Sequence, residues 1–298
     1  MAQLVDLLNV DLVPVVELEP WTFARQQHPR PGESRRDTPA EWDHYWRACL
    51  ADVGIVGVDP LQCGSWHAST EQFVRRPADL AKLVAFFVDE WGGAPTFEDP
   101  DRNPVLGGGL AFCTGSEVLA EPQCCVDLTN LADWQRAVHC RDEGWSMLWI
   151  GHPWLSVRYE APHLVLSDRH ESNEPIAQWL IAPKLLRRAV VRAAKALEQF
   201  AVSLRTPLEA LGVTDSIANA RRLAGLPPRR AYVQPSWRTP TVLSLAQVID
   251  GESAFASLPI LADALEDAGC TERDILDHCR QPGEHVRGCW VVDLLLGK

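Results

Sequence analysis

No stretch of the 298-residue chain approaches 18 consecutive uncharged apolar residues, which excludes a membrane-spanning helix. The opening MAQLVDLLNVDLVPVV carries acidic residues and lacks the basic start of a secretory signal, so a cytoplasmic protein with reduced thiols is expected. The nine cysteines, an odd number, are then buried small hydrophobes or ligands rather than a disulfide framework. There is no Cys-x2-Cys knuckle, Gly-x-Ser-x-Gly elbow, His-Glu-x-x-His, Gly-x-Gly-x-x-Gly or deaminase pattern of His-x-Glu with Pro-Cys-x-x-Cys. Gly107-Gly108-Gly109 lacks the Lys-Ser/Thr that a phosphate loop requires. No internal repeat is visible.

Apolar residues make up 46% of the chain and charged residues 23%, the proportions of a globular protein long enough for two ordinary domains. The net charge of −12 argues against nucleic-acid binding by the surface as a whole. It is unevenly spread. Residues 1–182 carry 13 Lys/Arg against 27 Asp/Glu, residues 183–230 carry 10 against 3, and residues 231–298 carry 5 against 10. The basic belt either complements its acidic neighbours or holds an anionic partner or a phosphate-bearing ligand. Twelve tryptophans are many for this length, and several are expected to line pockets or grooves.

Along the chain, Val10–Leu18 reads as a strand and residues 26–40 as a loop. Thr38-Pro39 opens a helix with Trp42, Trp46 and Leu50 on one face, and Pro77 opens another that Gly92-Gly93 ends. Leu110–Cys113, Val118–Cys125, Met147–Ile150, Leu155–Tyr159 and His163–Ser167 read as strands, with Asn130 capping a short helix. The clearest helix is Pro183–Arg205, where Leu186, Val190, Ala193, Leu197, Phe200 and Leu204 share one face. Helices and hairpins intermix without a βαβ repeat, so the body, 1–205, reads as α+β, a mixed sheet with hairpins and flanking helices. A Pro/Gly-rich connector, 206–234, with a short helical piece around Ile217–Leu223, leads to a small all-α module over 235–298 whose last helix, Val286–Leu296, is apolar nearly all round.

Pro235-Ser-Trp-Arg-Thr-Pro-Thr-Val-Leu, ILADALEDAGC (260–270) and HVRGCWVVDLLLG (285–297) carry a resemblance. This tail resembles a C-terminal module widespread in planctomycete proteins of the Gemmata type, in which similar tails follow different bodies. The resemblance implies a bacterial, cytoplasmic origin and a modular tail. It implies no reaction, cofactor or catalytic residue. In the body, EPQCCVDLTNLADW and LWIGHPWLSVRY look like signature blocks of an uncharacterised group.

Four constellations could carry chemistry. In the tail, Cys270, His278, His285 and Cys289, with Cys279 nearby, offer ligand types that suit a structural zinc, although thiols and histidines there equally serve as core filling and helix caps. In the body, Cys124 or Cys125 with His152 and an acid, Asp168, near His170, has the makings of a nucleophile, base and orienter. Adjacent cysteines on a strand point to opposite faces, so only one of the two is expected to face a shared pocket. Trp145, Trp149 and Trp154 form either a stacking platform for a ligand or partner or packing against the long helix. Arg188, Arg192 and Lys195, with Lys184 and extended by Arg221, Arg222, Arg229 and Arg230, form a basic stripe without the interleaved aromatics of single-strand binding. Together these favour a non-enzymatic interaction or adaptor protein with a protein partner and no cofactor, in a defence- or immunity-associated setting. The alternative is a hydrolase or transferase using the Cys/His/acid set.

Overall fold

The computed structural model describes residues 4–97, 99, 104–171, 173–227, 233–280 and 289–297. The chain falls into two compact units, 1–228 and 229–298. The first is α+β. It begins with β1 (Val5–Leu7), β2 (Asp11–Glu17), a one-turn α1 (Pro20–Phe23), α2 (Pro39–Ala51), β3 (His67–Ser69), α3 (Thr70–Arg75) and α4 (Pro77–Glu90). It continues with the short α5 (Ala94–Phe97), β4 (Gly108–Thr114), β5 (Glu117–Ala120), α6 (Leu131–Val138), β6 (Ser146–Leu148), β7 (Leu155–Glu160) and β8 (His163–Ser167). β9 (Ala177–Ile181), α7 (Pro183–Ala210) and α8 (Ser216–Leu223) complete it.

Two sheets result. One is antiparallel with order β3-β2-β4-β5, and the other is mixed with order β1-β9-β8-β7-β6, where only β1 and β9 run parallel. The faces are set by alternation along β2. Leu12 and Val16 enter the main core, and Val15 packs with Ala111 and Cys113 on the opposite side. Helix α7 packs against β2, α3, α4, α6 and α8. Its stripe from Leu186 through Val190, Ala193, Leu197 and Phe200 to Leu204 is buried throughout, at about 1.5–3 kcal/mol per large side chain removed from water.

Several boundaries differ from the sequence expectation. α7 runs past Pro207 to Ala210. The short helical piece expected around Ile217–Leu223 forms as α8, but this segment folds back instead of serving as a connector, burying Leu223, Ala224 and Leu226 in the body's core. Gly225 seals this return. Its φ is +66°, and a Cβ there would lie 2.3 Å from the Leu128 carbonyl carbon. β5 stops at Ala120 rather than Cys125, because Pro122 has no N–H to extend a ladder. Asn130 stands at the N-cap position of α6, as expected, but makes no side-chain capping bond there; Asp127 caps the 3-10 turn that precedes it. Asp127 accepts from the Thr129 N–H at 2.8 Å, while the buried Asn130 side chain accepts from Leu110 N–H of β4 at 3.1 Å. Many tryptophans are core: Trp42, Trp46, Trp134, Trp179 and Trp237 are buried, and Trp46 Nε1 donates to the Leu18 carbonyl at 2.8 Å.

The second unit comprises α9 (Pro240–Glu252), α10 (Leu258–Asp267), α11 (Arg273–Arg280) and α12 (Trp290–Leu296). It has its own core of Val242, Ile249, Leu261, Leu265, Val291 and Leu295. Thr239 caps α9 by accepting from Val242 N–H at 3.3 Å, and Arg280 ties α11 to α10 through Asp263 and Glu266, both at 2.6 Å. The beginning expected for the last helix, Val286–Gly288, lies outside the described residues. No described helix is long and apolar enough to cross a membrane.

Candidate functional site

The body's thiols, imidazoles and indoles meet where the segment after β5 crosses the segment between β6 and β7. Gln123 N–H donates to the Ile150 carbonyl at 2.6 Å, and His152 N–H donates to the Cys124 carbonyl at 3.2 Å, making Cys124 and His152 an isolated antiparallel bridge. The two backbones approach so closely because Gly151 lies between them. Its φ is +95°, and a Cβ would stand 2.4 Å from the Cys124 oxygen and 2.6 Å from the Gln123 carbonyl.

Cys125 then turns the chain out of the strand. Its φ is +65°, a left-handed conformation that costs a residue with a Cβ about 1 kcal/mol or more. This changes the expectation that only one thiol could face a shared site. Opposite faces hold for two successive extended residues, and Cys125 is not extended. Ligand atoms of Cys124, Cys125 and His152 lie within 4.8 Å of one another, and all three residues are exposed. The Cys124 thiol donates to the His152 carbonyl at 3.6 Å.

The His152 ring is held by aromatic packing. Trp149 meets it edge-on at 4.7 Å between centroids, Trp154 at 5.6 Å, and the two indoles stack at 6.2 Å with planes 26° apart. Trp154 also pairs with His170 through reciprocal backbone hydrogen bonds of 3.2 and 2.9 Å and a ring contact at 5.7 Å. His170 Nε2 lies 2.9 Å from Ser156 Oγ, and its Nδ1 is buried without a hydrogen-bond partner. Trp149 and Trp154 therefore form an aromatic pair. Trp145 is not part of it and is covered instead by the Arg158 guanidinium, 4.6 Å from its ring.

The nucleophile–base–acid arrangement is not assembled. Asp168 Oδ1 accepts from Ile176 N–H at 2.9 Å across the β8–β9 turn, and among the described residues no carboxylate hydrogen-bonds to His152. The Cys125 thiol is pushed up by the neighbouring Cys124, then by burial and the charge of Glu17, the opposite of an activated nucleophile.

The basic stripe divides. Lys184, Arg188, Arg192 and Lys195 are exposed on α7, with Arg192 held to Asp11 at 2.6 Å. Arg221 is a buried structural residue, paired with Glu198 at 2.6 Å and donating to the Pro227 carbonyl. Arg222 donates to the Phe97 carbonyl and to Asn219. Arg229 and Arg230 lie outside the described residues. In the tail, His278 Nε2 is 3.2 Å from Cys289 Sγ, and Cys270 and Cys279 are core residues, burial pushing the Cys279 thiol up to about 12. His285 lies outside the described residues. Among those described, the tail does not bring three ligands to one point.

A second constellation was missed by the sequence reading. Glu17 of β2 stands opposite His67 of β3, and His67 Nδ1 is 3.7 Å from Glu121 Oε2. Burial raises the Glu17 carboxyl above its ordinary range. Burial also acts to raise Glu121, but His67, Ser65 and Gln62 together outweigh it and hold that carboxyl below. Gln62 Nε2 donates to Glu121 at 3.1 Å. A cavity of about 170 Å³ opens beside Glu17, lined by Phe23, Leu83, Phe86 and Leu106. The signal was an acid within the apolar run LVPVVELEP, but nothing local to the sequence pairs it with His67 and Glu121.

No family model, curated protein or solved structure matches the chain at a significant level.

Proposed function

We propose that the chain is a non-enzymatic interaction protein whose body recognises a protein partner through the face made by Trp149, His152 and Trp154. The observation that carries this reading is the stacked indole pair, half-buried and rigidly framed, beside an exposed imidazole. Large aromatics held in one conformation lose little entropy on binding and are the commonest anchors of interfaces. A tail resembling modules attached to other bodies supports a docking role for the second unit. The exposed basic face of α7 suits an acidic partner surface.

One observation favours the alternative of a thiol hydrolase or transferase: both thiols lie beside His152. Alkylation rates at neutral pH in the presence of EDTA separate the two readings, with exposed Cys63 as an internal reference. Cys124 and Cys125 are expected to react within ten-fold of Cys63, whose own thiol is pushed up by Asp43. A ten-fold faster reaction at either would favour the enzyme. For the interface, capture from source-cell lysate by the whole chain is compared with capture by Trp149→Ala/Trp154→Ala. Loss of an anchor worth about 2 kcal/mol lowers affinity about 30-fold. Identical retained proteins for both baits would exclude this face as the contact.

A further inference from the structure

The geometry points to a zinc(II) site at Cys124, Cys125 and His152, three protein ligands with the fourth position open. Two thiolates and a neutral imidazole are the borderline-soft set that zinc selects, and they form a neutral centre with the ion. Tetrahedral zinc with bonds of about 2.1–2.3 Å separates its ligand atoms by about 3.5–3.8 Å. These three already lie within 4.8 Å of one another, so a movement of about 1 Å, within the reach of side-chain rotation, closes the site.

The supporting structure fits a ligand set better than an incidental cluster. The bridge between Cys124 and His152 fixes their spacing, and Gly151 allows it. The left-handed Cys125 brings the second sulfur to the first, a backbone choice that costs energy and that packing alone does not demand of an exposed residue. Trp149 and Trp154 grip the imidazole edge-on from two directions, fixing the orientation of a ligand in the way second-layer contacts do at metal centres. All three residues are exposed, so water can complete the tetrahedron. Binding replaces two S–H protons: the ion and two thiols give the dithiolate complex and two protons released to solvent. No oxidant or reductant is involved. Affinity consequently rises with pH through the thiol range.

The experiment uses the full chain, stripped of metal and kept reduced with a non-chelating phosphine. Titration with zinc against a chromophoric chelator is expected to give one equivalent per chain. Cobalt(II) is expected to produce a thiolate-to-metal band in the near ultraviolet and tetrahedral bands in the red, with quenching of Trp149 and Trp154 emission. Cys124→Ser, Cys125→Ser and His152→Ala should each weaken binding at least ten-fold, while Cys270→Ser/Cys289→Ser leaves it unchanged. The ligand variants are exposed, and circular dichroism confirms that they fold. Less than half an equivalent per chain, binding insensitive to Cys124→Ser/His152→Ala, or loss of binding only with the tail variant would overturn the assignment. The site does not depend on the partner-recognition reading, because the titration involves no partner and the lysate capture is repeated with EDTA.

Discussion

Replacing Gly151 by alanine tests the crossing on which the candidate site is built. At φ +95° an L residue is strained by about 1–3 kcal/mol. The added Cβ would overlap the Cys124 oxygen at 2.4 Å and the Gln123 carbonyl at 2.6 Å, and these are backbone atoms that cannot swing aside as a side chain would. Relieving such an overlap costs about another 1–3 kcal/mol. The expected loss is therefore about 4 kcal/mol, a fall in Tm of about 8–16 °C for a unit of this size.

The assay is thermal and urea unfolding followed by near-ultraviolet circular dichroism, with Gly144→Ala as the control. Gly144 has nothing within 4 Å of a Cβ position and no positive φ, so alanine there should change stability by less than about 1 kcal/mol. Hydrogen exchange supplies a local readout. The amides of Gln123 and His152, which bond across the crossing, should exchange faster in the Gly151 variant than those of β2. If Gly151→Ala stays within 1 kcal/mol of the parent and Gln123 keeps its protection, the 123–124 and 150–152 segments are not in contact as described. The Cys–Cys–His cluster would lose its basis with them.

Two electrostatic predictions follow from groups shifted in opposite directions. The Asp52 carboxyl accepts from the backbone N–H of Arg25 at 2.9 Å, with further bonds from His28 and Gln26, and the net effect, against burial, holds it down at about 2. Its contribution is complete above the unfolded value near 3.8 and is lost as pH falls through about 2, so Asp52→Asn should flatten the acid limb of a stability–pH curve and speed exchange at Arg25 and Gln26. An unchanged acid limb would show that these bonds do not favour the charged form. Glu17 is the reverse case. Burial raises its pKa, so the folded state loses stability as pH rises from the unfolded value through the folded one. Glu17→Gln should therefore raise Tm at pH 8 relative to its effect at pH 4, and a lower Tm at pH 8 would mean that attraction to His67 exceeds the cost of burial.

The parts of the fold legible from sequence are those with long periodicity. α2, α4 and the first six turns of α7 each repeat their apolar positions often enough to show a face, β2 and β8 carry dense apolar runs, and β7 alternates as Leu155, Val157 and Tyr159. Strands of three residues, β1 and β3, have no period to detect, and β9 hides in the mixed segment Ala177–Ile181. Pro207 suggested a stop. A proline this near the end of a 28-residue helix removes only one of its many hydrogen bonds, and Leu208 beyond it is fully buried. The helix near Ile217–Leu223 was legible, but the docking of 211–226 on the body was not, because what holds it is long-range: Leu106 N–H bonding to Leu223 O, and Gly225 against Leu128.

The candidate site was legible as a residue list and not as a geometry. Cys124, Cys125 and His152 were identifiable from residue type and from their position at strand ends, but two adjacent cysteines converge only if one leaves the extended conformation, and side-chain alternation predicts the opposite. The same short segment accounts for both constellations in the body. Glu121 closes the carboxylate–imidazole cluster with Glu17 and His67, and three and four residues later Cys124 and Cys125 reach His152. Between them Pro122 ends β5 and frees the chain to cross to the second sheet, where Gln123 bonds to Ile150. Glu17 contributes to raising the Cys125 thiol, so the two clusters are electrostatically linked. Zinc bound by two thiolates leaves this cluster neutral, as two protonated thiols do, so the pH dependence of the Glu17→Gln effect should be the same with and without zinc. A clear shift on adding zinc would mean that the bound metal carries net charge beside Glu17.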